Sequence, residues 1–290
     1  MQPVKNVQLA SNDIKLLAMK GYTVGDALNS GSFACVSKAT YKGKPAAVKV
    51  INLEKTSDDY RIKFLPRELY IIKKIRHRYI VKVIDIYVIA NSVFVFMELA
   101  DGGDFLDLLQ AEGALTEKRA RYFYVQYGDA YRYMHNMGFA HRDIKCENIL
   151  LNKQRTHAKV TDFGFTRSCI ERQSGQRMLS ETYCGSRAYL APEVLKAEKY
   201  NPLLSDVWSI GVVLFVLLQD RFPFNDRDWK SLRKSQLERS YYVSSRLSAS
   251  CKDIIHAHLN PNPSTRANMM ELLQHEWLGA DKTSLEDGSD

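Results

Sequence analysis

The hydrophobic period changes once along this chain, at "DGGD" (residues 101 to 104), and that change restricts the folds open to it. Before it come short runs rich in β-branched and aromatic residues, separated by turn residues. They are "YTVGDAL" (22 to 28), "CVSKATY" (35 to 41), "PAAVKVIN" (45 to 52), "IVKVIDIYVI" (80 to 89) and "SVFVFMEL" (92 to 99). Such runs predict strands. One helix interrupts them, over residues 62 to 75, where Phe64, Leu65, Leu69, Ile72 and Ile75 share helical spacing. After "DGGD" the apolar residues follow a 3.6-residue period. "TEKRARYFYVQYGDAYRYMHNMG" predicts a long helix with Thr116 as N-cap and Gly138 as its stop. Further helices are expected over 204 to 218, 249 to 258 and 268 to 273. The expected fold is α+β: a small β-rich lobe with one main helix, then a larger α-rich lobe, joined through "MELADGG".

With 290 residues the chain can bury a sizeable core. Five cysteines, Cys35, Cys146, Cys169, Cys184 and Cys251, form neither a zinc pair nor a disulfide framework, so a reducing, cytoplasmic setting is expected. The N-terminus has no signal-peptide core. "VWSIGVVLFVLL" (207 to 218) is too short to span a bilayer and reads as a buried helix, and no membrane partner is expected. The net charge of +8 suits acidic partners, phosphates or nucleic acid among them. Much of it lies in residues 61 to 82, within the helical pattern and without aromatic signatures of RNA binding, so a solvated basic face is the preferred reading and no nucleic acid is expected. A nucleic-acid-binding protein stays as a remote alternative.

Several stretches carry chemistry. Lys49, inside the apolar run "AAVKV", is costly unless it faces a partner, and Glu68 on the following helix is a suitable counter-ion. "HRDIKCEN" (141 to 148) gathers polar side chains just after the long helix. There Asp143 could accept or orient a hydroxyl proton. Lys145 could neutralise a phosphoryl group, and Asn148 could offer its amide oxygen to Mg²⁺, a hard cation. "TDFGF" (161 to 165) adds Asp162 as a second oxygen ligand, and Gly164 lets the chain turn away. "LNSGSFACVSKA" (28 to 39) fits a phosphate-cradling G-x-G-x-x-G-x-V loop only in part: Asn29, Gly31 and Ala34 fall on its glycine positions and Val36 on its valine.

With "AAVKV", "FLPREL", "HRDIKCEN", "DFG", "APE" (191 to 193) and "SDVWSIGVVL" in this order, the chain resembles a protein kinase over residues 22 to 278. The resemblance implies a two-lobed fold with an N-lobe (22 to 97), a hinge (98 to 103) and a C-lobe (104 to 278). Residues 1 to 21 would be an extension and 279 to 290 a disordered tail. It implies ATP and Mg²⁺ as cofactors. Lys49 would bind the α- and β-phosphates, with Glu68 as its partner. Leu28, Asn29, Ser30, Gly31, Ser32, Phe33, Ala34, Cys35 and Val36 would form the loop over the nucleotide. Ala47 and Leu150 would join Val36 around adenine, with Met97 as gatekeeper and Glu98 and Ala100 offering backbone groups. Asp143 would be the catalytic base with Lys145 beside it, and Asn148 and Asp162 the metal ligands. Ile72, Val83, His141 and Phe163 would build an apolar spine. Asp206 would brace the catalytic loop, and Glu193 would pair with Arg266.

Lys145, two residues after Asp143, and "CGSRAYLAPE" match the serine/threonine pattern, where Ser186 bonds the catalytic Asp and Lys. "KFLPREL", "HRDIKCENIL", "TDFGF", "SETYCGSRAYLAPEVL" and "YNPLLSDVWSIGVVL" are similar to the testis-specific serine/threonine kinases, near the calmodulin-dependent branch. That similarity implies protein substrates bearing Ser or Thr and a role in sperm development. It also implies activation at Thr182, by an upstream kinase or by autophosphorylation, with the phosphate on Arg142 and Arg167. Asp104 and Glu147 match positions that meet upstream basic residues of a substrate, and a chaperone is a further expected partner. Because Lys49, Asp143, Asn148 and Asp162 are all present, an active enzyme is expected; the alternative is a pseudokinase scaffold that binds nucleotide without turnover.

Overall fold

The computed structural model describes residues 11–31, 34–170, 178–181, 184–196 and 198–279, which fall into two compact units, one ending at Asp101 and the other beginning at Gly102. The first unit holds one five-stranded antiparallel sheet in the order β1-β2-β3-β5-β4. Its strands are β1 (Tyr22–Ser30), β2 (Ala34–Tyr41), β3 (Lys44–Asn52), β4 (Val83–Ile89) and β5 (Ser92–Met97). Two-residue loops set the register. Lys42 and Gly43 both take positive φ, 47° and 78°, as the tight turn joining right-twisted strands requires. One face of the sheet buries Ala46, Val48, Val50, Phe94 and Phe96 beneath Tyr22, whose ring stacks on Phe96 at 3.8 Å and on Tyr41 at 4.5 Å. Leu17 of a helix the sequence pattern did not announce, α1 (Ser11–Met19), seals this cluster.

The helix expected over 62 to 75 is broken in two. A π-helical turn, Tyr60–Phe64, leads into α2 (Leu65–Lys74). Pro66 sits in the first turn of α2, where its missing N–H costs nothing. Strand β4 starts three residues later than the apolar run, because Ile80 is buried in a turn whose N–H bonds His77 O.

The second unit is mainly helical: α3 (Phe105–Glu112), α4 (Glu117–Asn136), α5 (Pro202–Gln219), α6 (Trp229–Leu237), α7 (Ala249–His258) and α8 (Met269–Leu272). Thr116 caps α4 by accepting from Arg119 N, and the helix stops before Gly138, at φ 75°. A Cβ on Gly138 would lie 2.4 Å from Ile170. Tyr124, Tyr127 and Tyr131 of α4 are fully buried, three and four residues apart, as one helical stripe requires. Helix α5 is buried along nearly its whole length, which explains why its sequence is apolar all round. Two short antiparallel strand pairs complete the unit: β6 (Phe139–Ala140) pairs β9 (Arg167–Ser168), and β7 (Ile149–Leu151) pairs β8 (Ala158–Val160). They pin both ends of the segment 141–148.

Candidate active site

In the first unit Lys49 stands on β3, flanked by Val36 of β2 and Val95 of β5. Its ammonium donates to Glu68 Oε1 at 2.9 Å. Glu68 is only 4% exposed, and its other oxygen accepts from Tyr60 OH at 3.1 Å. The lysine thus has the partner its apolar strand demands, and the buried carboxylate is satisfied on both oxygens. Ala47 lies opposite Met97, and Met97 opposite Val83. Glu98 uses its N–H on Lys82 O and its carboxylate on Lys82 N. Ala100 is half-buried beyond the end of β5.

The glycine-poor loop has a physical answer. Asn29 pairs with Val36 and Ser30 with Cys35, and Gly31 N–H closes the turn on Ala34 O at 2.8 Å. Neither Asn29, Gly31 nor Ala34 occupies the left-handed region. A Cβ on Gly31 itself would meet only Ala34 O, at an ordinary 3.6 Å. The backbone here asks for no glycine on conformational grounds. Leu28 is exposed and Cys35 buried; Ser32 and Phe33 lie outside the described residues.

In the second unit the segment 141–148 converges on one carboxylate. Asp143, 4% exposed, accepts from Lys145 Nζ at 2.8 Å and Asn148 Nδ2 at 3.3 Å on Oδ2. Its Oδ1 accepts from Ser186 N and Ser186 Oγ, both at 3.1 Å. Lys145 also reaches Ser186 Oγ at 3.2 Å. Asn148 spends its amide N–H groups on Asp143, on the backbone oxygen and on Oδ2, so a hard cation would be met by its side-chain carbonyl oxygen. Asp162 takes φ 61°, a conformation Asp tolerates better than most side chains, and directly precedes Phe163, which is buried against His141 at 5.6 Å. This oxygen donor set suits Mg²⁺, which keeps several waters and needs few protein ligands. Among the described residues no cluster of three or more His, Cys, Asp or Glu competes for a metal.

Asp206 of α5 fixes the segment from below. Its carboxylate accepts from the backbone N–H of His141 and Arg142, at 2.7 and 2.9 Å, and contacts His135 Nε2 at 3.0 Å. Arg142 donates through Nε to Phe165 O and through Nη1 to Ser180 Oγ. Arg167 lies on β9, in register with Ala140. Thr182 lies outside the described residues. Glu193 and Arg266 form a bidentate pair at 2.6 and 2.9 Å with the arginine fully buried.

The acids expected to meet substrate differ. Glu147 is exposed, with one contact to Tyr189 OH. Asp104 caps α3, accepting from Leu106 N and Asp107 N, and forms a β-bridge with Leu150 of β7. Burial holds its carboxyl above the ordinary range, with further push from the neighbouring carboxylates of Asp107 and Glu147, although its two backbone hydrogen bonds pull the other way. The two neighbouring negative charges thus add to burial in disfavouring ionisation of Asp104. Sequence reasoning missed Ser180, His135 and Tyr189, whose hydroxyl accepts from Cys146 N; their partners lie 38, 71 and 43 residues away, beyond any local pattern.

The protein kinase domain family model matches residues 22–278. Testis-specific serine/threonine-protein kinase 2 of Mus musculus is 39% identical over 92% of this chain and 76% of its own length. Testis-specific serine/threonine-protein kinase 3 of Homo sapiens is 38% identical over 91% of this chain and 98% of its own. CBL-interacting serine/threonine-protein kinase 9 of Arabidopsis thaliana is 36% identical over 89% of this chain, which spans 57% of it. Similarity to these kinases covers nearly the whole chain, the β-sheet unit, the helical unit and the segment 141–148 alike: it belongs to the protein kinase family, and is a protein serine/threonine kinase similar to the testis-specific group.

Proposed function

We propose that the protein transfers the γ-phosphate of ATP to Ser or Thr hydroxyls of protein substrates that carry basic residues upstream of the acceptor. The observation that carries this reading is Asp143, a buried carboxylate whose two oxygens are held by Lys145, Asn148 and Ser186. An acceptor hydroxyl placed here gives its proton towards Asp143 as its oxygen bonds to phosphorus and the bond from phosphorus to the leaving diphosphate oxygen breaks. Lys145 neutralises charge on the transferring group, and Lys49, steadied by Glu68, holds the non-transferred phosphates. Asn148 and Asp162 would hold Mg²⁺, which supplies neutralisation of phosphate charge. The crowded acids Asp104 and Glu147 support a basic residue in the substrate. Phosphate on Thr182 would pair with Arg142 and Arg167, ordering the docking segment through charge-assisted bonds. Similarity to the testis-specific kinases supports action inside developing germ cells, on protein substrates there, under an upstream kinase or autophosphorylation and with a chaperone as a further partner.

The test is phosphate incorporation from Mg-ATP into a basic Ser/Thr peptide, with Asp143→Asn as control. The expected result is turnover by the parent and a loss of at least about a hundredfold in the variant, roughly 2.7 kcal/mol. Equal activity in both overturns the assignment. Thr182→Ala is expected to lower activity, and full activity in that variant with no phosphate on the active parent removes Thr182 from the scheme.

A further inference from the structure

Ser186, whose hydroxyl lies against Asp143 and Lys145, is followed by a residue the mechanism does not use. Arg187 opens a 3-10 turn, Arg187–Tyr189, and its Cα is one peptide, about 3.8 Å, from that of Ser186. Its guanidinium carbon sits 4.0 Å from the centre of the Trp229 ring, at the start of α6. Nη1 donates to Asp226 O at 3.1 Å. A guanidinium laid on an indole face keeps its in-plane N–H edges available, and only one of its five donors is used among the described residues. Its contacts among the described residues are a backbone carbonyl and an aromatic ring rather than a carboxylate, and Trp229 is itself 39% exposed. The turn is fixed in place from both sides. A Cβ on Gly185, at φ 104°, would strike Arg142 O at 2.7 Å, and Tyr189, 4% exposed, packs edge-on against Phe222 at 5.2 Å. Arg187 is therefore a cation fixed on Trp229, with its backbone one residue from the hydroxyl that touches Asp143.

We propose that Arg187, stacked on Trp229, selects substrates with an acidic or phosphorylated residue within two positions of the acceptor Ser or Thr. The inference rests on the assignment of Asp143 as the phosphotransfer centre. It adds a second sign to the recognition: carboxylates at Asp104 and Glu147 for a basic residue, and a guanidinium at Arg187 for an anionic one. A planar guanidinium presents paired donors that fit a carboxylate or phosphate edge, so an anion is favoured over a neutral polar residue.

The test uses the full chain and peptides that share upstream arginines and differ only at the two positions on each side of the acceptor, bearing Glu, phosphoserine, Ala or Lys. The parent is expected to prefer Glu or phosphoserine over Lys about tenfold in kcat/KM at one of these positions. Arg187→Ala should level the series, and Arg187→Glu should invert it. A gain by Arg187→Glu on the Lys peptide cannot come from misfolding. Trp229→Ala should weaken the preference, and Trp229→Phe should retain it in part. A parent that phosphorylates all four peptides equally, or a preference that Arg187→Glu leaves unchanged, overturns the inference and leaves the phosphotransfer assignment standing. A parent that phosphorylates none of them, or an Asp143→Asn variant as active as the parent, overturns both.

Discussion

Replacing Lys49 with Met strips Glu68 of its counter-charge while Tyr60 still holds the other oxygen. It also removes the ammonium proposed to hold phosphates, where such contacts strengthen in the transition state. Steady-state kinetics should show Lys49→Met losing at least about a hundredfold in turnover, equivalent to roughly 2.7 kcal/mol. Ala34→Gly should behave otherwise. Ala34 is outside the left-handed region and pairs with Ile51 on β3, so glycine relieves no strain there and adds only chain freedom. ATP affinity should change by less than about tenfold. A hundredfold gain from Ala34→Gly with no loss from Lys49→Met would mean that the loop is a damaged remnant. At this scale the sequence was most readable where chemistry is contiguous: residues 141–148 announce their own convergence on Asp143. Arg187 on Trp229 and Ser180 on Arg142 were unreadable, because each pair is made by chain separated by about forty residues and brought together only by folding.

Among the elements, α5 and α7 meet at a histidine that tests how buried their seam is. His258 on α7 is fully buried; Nδ1 bonds Val207 O at 2.8 Å and Nε2 bonds Tyr124 OH at 2.8 Å. Its Cβ comes so near Gly211 on α5 that a side chain there would lie 2.3 Å away. Burial lowers the imidazole from 6.5 to about 4, with smaller contributions from His275 and Arg266, against a hydrogen bond to Val207 that raises it. Between those values the unfolded chain binds more protons than the folded one, so stability is complete above pH 6.5 and falls as pH drops towards 4. From pH 7 to pH 5 this group should remove about 2 kcal/mol, read as a fall in urea midpoint. His258→Gln should flatten that part of the pH profile, whatever it does to absolute stability. A parent and variant with parallel profiles would place the acid sensitivity elsewhere. Long periodic helices such as α4 and α5 were legible from sequence, whereas α1, α3 and α6 were not. Each of these three has eight or nine residues: α1 buries only Leu17 and α6 only Leu232 and Gln236, while α3 confines its apolar spacing, Phe105, Leu108 and Leu109, to little more than one turn.

For the whole molecule, the division at Asp101 and Gly102 lies inside the "DGGD" stretch where the hydrophobic period changes, and the two units differ in how they are closed. The sheet unit is held by ladders between near neighbours in sequence, apart from β3 with β5. The helical unit is closed by a contact across 160 residues: Trp277 Nε1 donates to Glu117 Oε2 at 3.2 Å. The same carboxylate accepts from Ser248 N and Oγ at the start of α7, and these bonds hold Glu117 below the usual glutamate range despite its partial burial. The Trp277 ring, 2% exposed, packs edge-on to Tyr124 at 5.7 Å, with Arg121 over its face. The family match ends one residue later, at Leu278. Trp277→Ala removes a buried ring and leaves a cavity against α4, so it should cost about 3–5 kcal/mol. Trp277→Phe keeps most of the packing and loses only the indole donor, so it should cost about 1–2 kcal/mol. Urea unfolding of the three proteins measures this ordering. If Ala and Phe variants match the parent in midpoint, Trp277 is not what closes the helical unit, and the Glu117–Ser248 bonds must hold α4 to α7 by themselves.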